Sequence, residues 1–132
     1  MQRFFWGMYY QNLFKMESNK YSALKIYAST TDRIGSHLLY EDIVMQAKNF
    51  GISGITVYRG IMGYGLSSKI DSSKFWELTE KLPVVIEIVD TNDTIEQFYN
   101  RIEKSLLAMP KGCLITKETV EIKLRKTGIK HK

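Results

Sequence analysis

The 132-residue sequence has little of several things: one cysteine, Cys113, two prolines, two histidines and nine glycines. A single thiol forms no internal disulfide and, beside two histidines, supplies no metal-binding cluster, a usage that fits a reducing cytoplasm. Scarce proline and glycine exclude collagen-like and low-complexity chains. No apolar run approaches the ~20 residues of a membrane-spanning helix. No Walker-type lysine follows the glycines, which excludes a P-loop ATPase. What is present is 44% hydrophobic and 25% charged residues with a formal net charge of +5. That suffices for one domain with an ordinary core.

The positive charge is not spread evenly. Residues 23–116 carry a net −1, the first 22 residues +2 and the last 16 residues +4. Basic ends are usually solvated tails, so a nucleic-acid-binding module using them is one alternative, and a structural trimer without ligand is the other. Residues 1–20 hold interrupted aromatics, Phe4-Phe5-Trp6 and Tyr9-Tyr10, without the apolar core and cleavage site of a signal peptide. They read as an N-terminal extension, with Met16 as a second candidate start. Residues 21–128 read as the domain and 129–132 as a basic tail.

Hydrophobic period marks the elements. Leu24 and Ile26 alternate with Lys25 and Tyr27 in a first strand. Ser36 is a candidate N-cap for a helix with apolar positions Leu39, Ile43, Ala47 and Phe50, acids Glu41 and Asp42 near its start and Gly51 at its end. Residues 54–58 alternate again and lead into Gly60-Ile61-Met62-Gly63-Tyr64-Gly65. Pro83 opens the strongest strand, Val84 to Val89. Asp93 with Glu96 suggests a capping box for a helix with Ile95, Phe98, Tyr99, Ile102 and Leu106 on one side. Pro110-Lys111-Gly112 is a turn before a strand at Cys113 to Thr116, and Val120, Ile122 and Leu124 suggest one more extended segment. The order βαββαβ predicts an α+β, ferredoxin-like antiparallel sheet with two helices on one face, plus a C-terminal strand.

With Leu24, Ile26, Ile55, Val57, Val84, Ile86 and Ile88 toward the helices, the other sheet face carries Tyr27, Tyr58, Val85 and Val89 around Lys25, Thr56 and Glu87. A face open to water is normally more polar. The expectation is burial against other copies of the chain; an ordinary partly apolar surface is the plainer alternative.

Catalysis has little support. His37 reads as a loop or cap residue, His131 lies in the basic tail, and Cys113 reads as a small core residue. Asp90 and Asp93 are explained by turn and cap roles. The chain is expected not to be an enzyme. Glycines 60, 63 and 65 are the best functional candidate, since they let backbone N–H groups approach an anion, although strand glycines also mark bulges and bends.

Gly51-Ile52-Ser53-Gly54-Ile55-Thr56-Val57 followed by Gly63-Tyr64-Gly65 resembles the PII signal-transduction family. So does the tail Ile122-Lys123-Leu124-Arg125-Lys126-Thr127-Gly128. Residues 57–65 with Leu82-Pro83-Val84-Val85 are similar to a compact PII-like branch known mainly as a domain of unknown function. The resemblance implies a cytoplasmic, non-catalytic homotrimeric regulator with an adenine nucleotide in the clefts between subunits. It further implies that Thr56 meets the adenine, that Gly63, Tyr64 and Gly65 line the phosphate side, and that Lys123 and Arg125 add positive charge from a shared strand face. Three departures go with it. One extra residue precedes Gly63, residues 66–82 are shorter than the family's T-loop, and its glycine-rich B-loop is replaced by Pro110-Lys111-Gly112, with Lys111 and Gly112 near the phosphates. AMP or ADP is therefore expected rather than ATP with 2-oxoglutarate. The expected client is a membrane transporter or channel.

Overall fold

A computed structural model describes residues 20–65, 71–72 and 81–129. The elements in chain order are β1 (Tyr21–Ser29), β2 (Arg33–Ile34), β3 (His37–Leu38), α1 (Leu39–Phe50), β4 (Ile55–Arg59), β5 (Met62–Gly63), β6 (Asp71–Ser72), β7 (Pro83–Thr91), α2 (Asn92–Ala108) and β8 (Leu114–Val120). The four long strands form one sheet in the order β4-β7-β1-β8, every neighbouring pair antiparallel. This is the ferredoxin-like arrangement. Two small hairpins, β2–β3 and β5–β6, stand beside it.

Period-two burial is cleanest in β7, where Val84, Ile86, Ile88 and Asp90 are buried and the residues between them are half-buried. Register then assembles the core. Ile86 lies across from Ile26 and Val57, and Ile88 across from Leu24 and Ile55. Helix α1 closes this face with Leu39, Ile43 and Ala47, and α2 with Ile95, Phe98, Ile102 and Leu106. Phe50 tilts onto Phe98 at 5.5 Å between ring centroids and continues the core outward. The predicted division of the sheet into a helix face and an open face holds at all seven expected inward positions.

The helix starts differ from those predicted. Ser36 is not an N-cap: it lies in the turn of the β2–β3 hairpin, beside Gly35 at φ 59°, and its carbonyl accepts from Arg33 Nη1. Helix α1 begins after Leu38, with no side-chain cap, where the Leu39 N–H donates to the Asp32 carbonyl. Asp93 and Glu96 form no capping box either. Thr91 is the N-cap, its Oγ1 accepting from the Thr94 N–H at 3.2 Å, because β7 runs straight into α2. Asp93 accepts from Gln97 and Glu96 pairs with Lys117. Gly51 does end α1, in the left-handed region at φ 97°.

The strand expected at Cys113 to Thr116 runs on as β8 to Val120, and the further extended segment expected through Ile122 and Leu124 does not form beyond Val120. Residues 121–129 carry no ladder. The expectations for residues 1–19, His131 and most of the segment 66–80 lie outside the described residues.

Candidate functional site

The glycine segment is built on Pro83. Strand β4 ends at Arg59, opposite Val84, and the Gly60 N–H donates to the Pro83 carbonyl at 2.8 Å. A Cβ at Gly60 would meet the Pro83 ring at 3.3 Å, and one at Gly63 at 3.0 Å. Neither glycine has a positive φ. What requires glycine here is close approach of the backbone to a proline ring, not an unusual conformation. Tyr64, 76% exposed, and Gly65 follow at the rim.

The preceding turn secures the other foot of this segment. The Thr30 N–H donates to the Leu82 carbonyl (2.9 Å), and the Leu82 N–H donates to Thr30 Oγ1 (3.0 Å). Buried Asp32 closes the turn by accepting from the Ser29 N–H at 2.9 Å. At the far end of β4, Asp90 anchors the α1–β4 turn: Oδ2 accepts from the Ser53 N–H (3.0 Å) and Ser53 Oγ (3.2 Å), and Oδ1 from the Thr91 N–H (2.7 Å). Its role is structural, in line with its turn position. These two anchors fix both ends of the strand that carries Thr56.

Thr56 is exposed on the open face, across from Glu87. Next in the same row stands Lys25, with Nζ 3.6 Å from Glu87 and 3.3 Å from Glu118. The hydrogen bond to Glu118 and the charge of that carboxylate hold the Lys25 ammonium above its ordinary range; Glu87 adds to this, and partial desolvation opposes it. The neighbouring row runs Tyr58, Val85, Tyr27 and Leu114 across all four strands. Tyr58, Tyr27 and Leu114 are 45%, 39% and 59% exposed. The open face therefore pairs one charged row with one apolar row.

Strand order separates the other candidates. Lys111 and Gly112, both exposed, precede β8, at the same end of the sheet as Gly60 and Pro83. But β8 is the opposite edge from β4, three strand spacings or roughly 14 Å away. Lys123 and Arg125 follow Val120, which pairs with Tyr21 at the other end of β1. The strand expected to align them stops short of both. Lys123 pairs with Glu121 at 3.4 Å, and the Arg125 guanidinium lies 5.3 Å from the centre of the Tyr21 ring. One chain thus brings Gly63, Tyr64 and Gly65 together at the end of the strand that carries Thr56, and places Lys111 and Gly112 before β8 and Lys123 and Arg125 after it, at opposite ends of that strand.

Sequence reasoning missed Pro83 as the platform and Thr30 as its anchor; the Ser29-Thr30-Thr31-Asp32 turn, with an acid three residues after a serine, was the available signal. It also missed a groove of about 670 Å³ on the helix side, lined by Tyr40, Val44, Met45, Val57, Arg59 and Val84 among others. None of the eight candidates lines it. His37 is exposed on the small hairpin. Cys113 is half-buried, and burial with the nearby Asp32 charge pushes its thiol up, opposite to an activated nucleophile.

Known proteins resemble this chain to differing depths. A solved PII-like nitrogen regulatory protein of Thiomonas intermedia K12, CPII, described as bound to ADP, AMP and bicarbonate, superposes with a TM-score of 0.52. That match covers 77% of this chain and 89% of CPII, and at 12% identity the likeness is one of fold. A UPF0166 protein of Aquifex aeolicus (strain VF5) is 34% identical over 103 residues, 78% of this chain and 93% of the relative. A UPF0166 protein of Methanocaldococcus jannaschii is 37% identical over 107 residues, 77% of this chain and 98% of the relative. The model of the DUF190 family, described as "Uncharacterized ACR, COG1993", matches residues 21–122, from the first residue of β1 to just past the end of β8. With the family model matching along the whole ferredoxin-like sheet, the chain belongs to the DUF190 family.

Proposed function

We propose that this protein is a PII-like regulator that binds an adenine nucleotide, AMP or ADP, between copies of itself and performs no chemistry on it. The observation that carries the reading is the division of the candidate residues between the two edges of one sheet. Thr56 and Gly63 to Gly65 belong to the β4 edge, while Lys111 and Gly112 lead into β8 at the Pro83 end of the sheet and Lys123 and Arg125 follow β8 at its other end. A site using both sets forms where the β4 edge of one copy meets the β8 side of the next. In that site Thr56 contacts the adenine, the backbone of Gly63 to Gly65 faces the phosphates, and the basic residues neutralise phosphate charge. The apolar row Tyr58, Val85, Tyr27 and Leu114 supports assembly, because burying it removes large side chains from water. A homotrimer is the assembly we assign. The nucleotide-bound CPII structure supports the ligand class. A protein client, for which a membrane transporter or channel is the expectation, reads the bound state through differential affinity.

Isothermal titration calorimetry with AMP, ADP and ATP, run beside sedimentation equilibrium, tests the reading. Saturable binding of AMP or ADP, one site per chain, to an oligomer is the expected result. Absence of binding to all three at millimolar ligand would sink the proposal, and so would tight binding to a monomer.

A further inference from the structure

We infer that Thr30 is a positioning residue for the phosphate-side backbone, a role that rests on the nucleotide reading above. The inference begins where the β1–β7 ladder ends. The last ladder pair is Ser29 with Pro83, and the next position would pair Thr30 with Leu82. There the backbone supplies one bond, from the Thr30 N–H to the Leu82 carbonyl, and the Thr30 hydroxyl replaces the other strand's carbonyl as acceptor for the Leu82 N–H. Leu82 is buried, so the amide has little access to water as a substitute partner. Leu82 in turn sets the start of Pro83, whose carbonyl accepts from Gly60 and whose ring lies against Gly60 and Gly63. The ring fills the space where a Cβ at Gly63 would stand, so the position of Pro83 sets how the backbone from Gly63 to Gly65 can lie. Thr30 touches no proposed ligand atom. It acts through Leu82 and Pro83.

Two substitutions separate this from a general contribution to stability. Thr30→Val keeps the shape and removes the acceptor, whereas Thr30→Ser keeps the acceptor. The expected result is ADP affinity about threefold to tenfold weaker in Thr30→Val, the effect of one neutral hydrogen bond, and close to wild type in Thr30→Ser. Amide hydrogen exchange read at Leu82, Gly60 and Gly63 should accelerate in Thr30→Val alone, with β7 protection from Val84 to Val89 unchanged. Equal affinity and equal exchange in the three proteins overturns the inference while leaving the nucleotide reading in place. If wild type binds no nucleotide, that reading fails, and the exchange experiment still decides whether Thr30 positions the glycine backbone. Should Thr30→Val fail to fold, the wild-type exchange pattern decides. Thr30 and Leu82 amides protected like those of the sheet support the anchor, and free exchange at both overturns it.

Discussion

In the proposed site Gly63 faces the phosphates with bare backbone, and its surroundings give glycine a second reason. The Pro83 ring already occupies the side where a Cβ would point, at 3.0 Å. A bulky substitution there damages the platform whether or not a phosphate binds, so a large residue at 63 is a poor test of ligand contact. Gly63→Ala should cost about 1–3 kcal/mol, as inserting a methyl group into a packed contact does. Combining it with Pro83→Ala should recover much of that loss, giving a clear coupling in a double-mutant cycle read by urea denaturation. Additive effects of the two changes would show that the contact has no energetic weight. The glycine segment stood out in the sequence, but Pro83 as its neighbour did not. Gly60 and Gly63 meet it only because β4 and β7 pair, which brings positions twenty or more apart together.

Elements were readable where the signal was repeated and elusive where it was single. Strand β7 and the inward faces of α1 and α2 follow from apolar period, summed over many residues. The helix starts rested on single cap-like residues, and other groups decided instead: the Asp32 carbonyl for Leu39, and the Thr91 hydroxyl at the end of β7 for α2. At this scale β1 carries a pH-dependent feature. Glu118 and, to a smaller extent, Glu87 raise the folded-state pKa of Lys25 above its ordinary 10.5. The folded chain therefore holds that proton more tightly than the unfolded one. Its stabilisation is complete at neutral pH and is lost as pH climbs through the raised folded value, past 10.5. Thermal melts of wild type and Lys25→Met should accordingly converge between neutral pH and the strongly alkaline range. A constant gap across that range would show that the ion pairs contribute nothing.

For the whole molecule, the open sheet face carries exposed Tyr27, Tyr58 and Leu114, and sequence periodicity located this face. Periodicity did not reveal that the charged and apolar residues sort into separate rows, because rows depend on register between strands that are far apart in sequence. Nor did it show that the candidate residues split between two edges, since that follows from strand order. If the apolar row is covered by other copies, a charge placed in it must be desolvated on assembly. Tyr58→Glu and Leu114→Glu should each shift the sedimenting species from three chains to one, with the far-ultraviolet circular dichroism preserved because both side chains are exposed in the single chain. Unchanged mass in both variants would place the interface elsewhere. Tyr21 and Val120 are ladder partners, so the domain's polypeptide enters and leaves side by side, at the end of the sheet away from Pro83. Copies can therefore be joined in tandem into a single polypeptide, and a lesion written into one repeat alone would count how many binding sites each repeat serves.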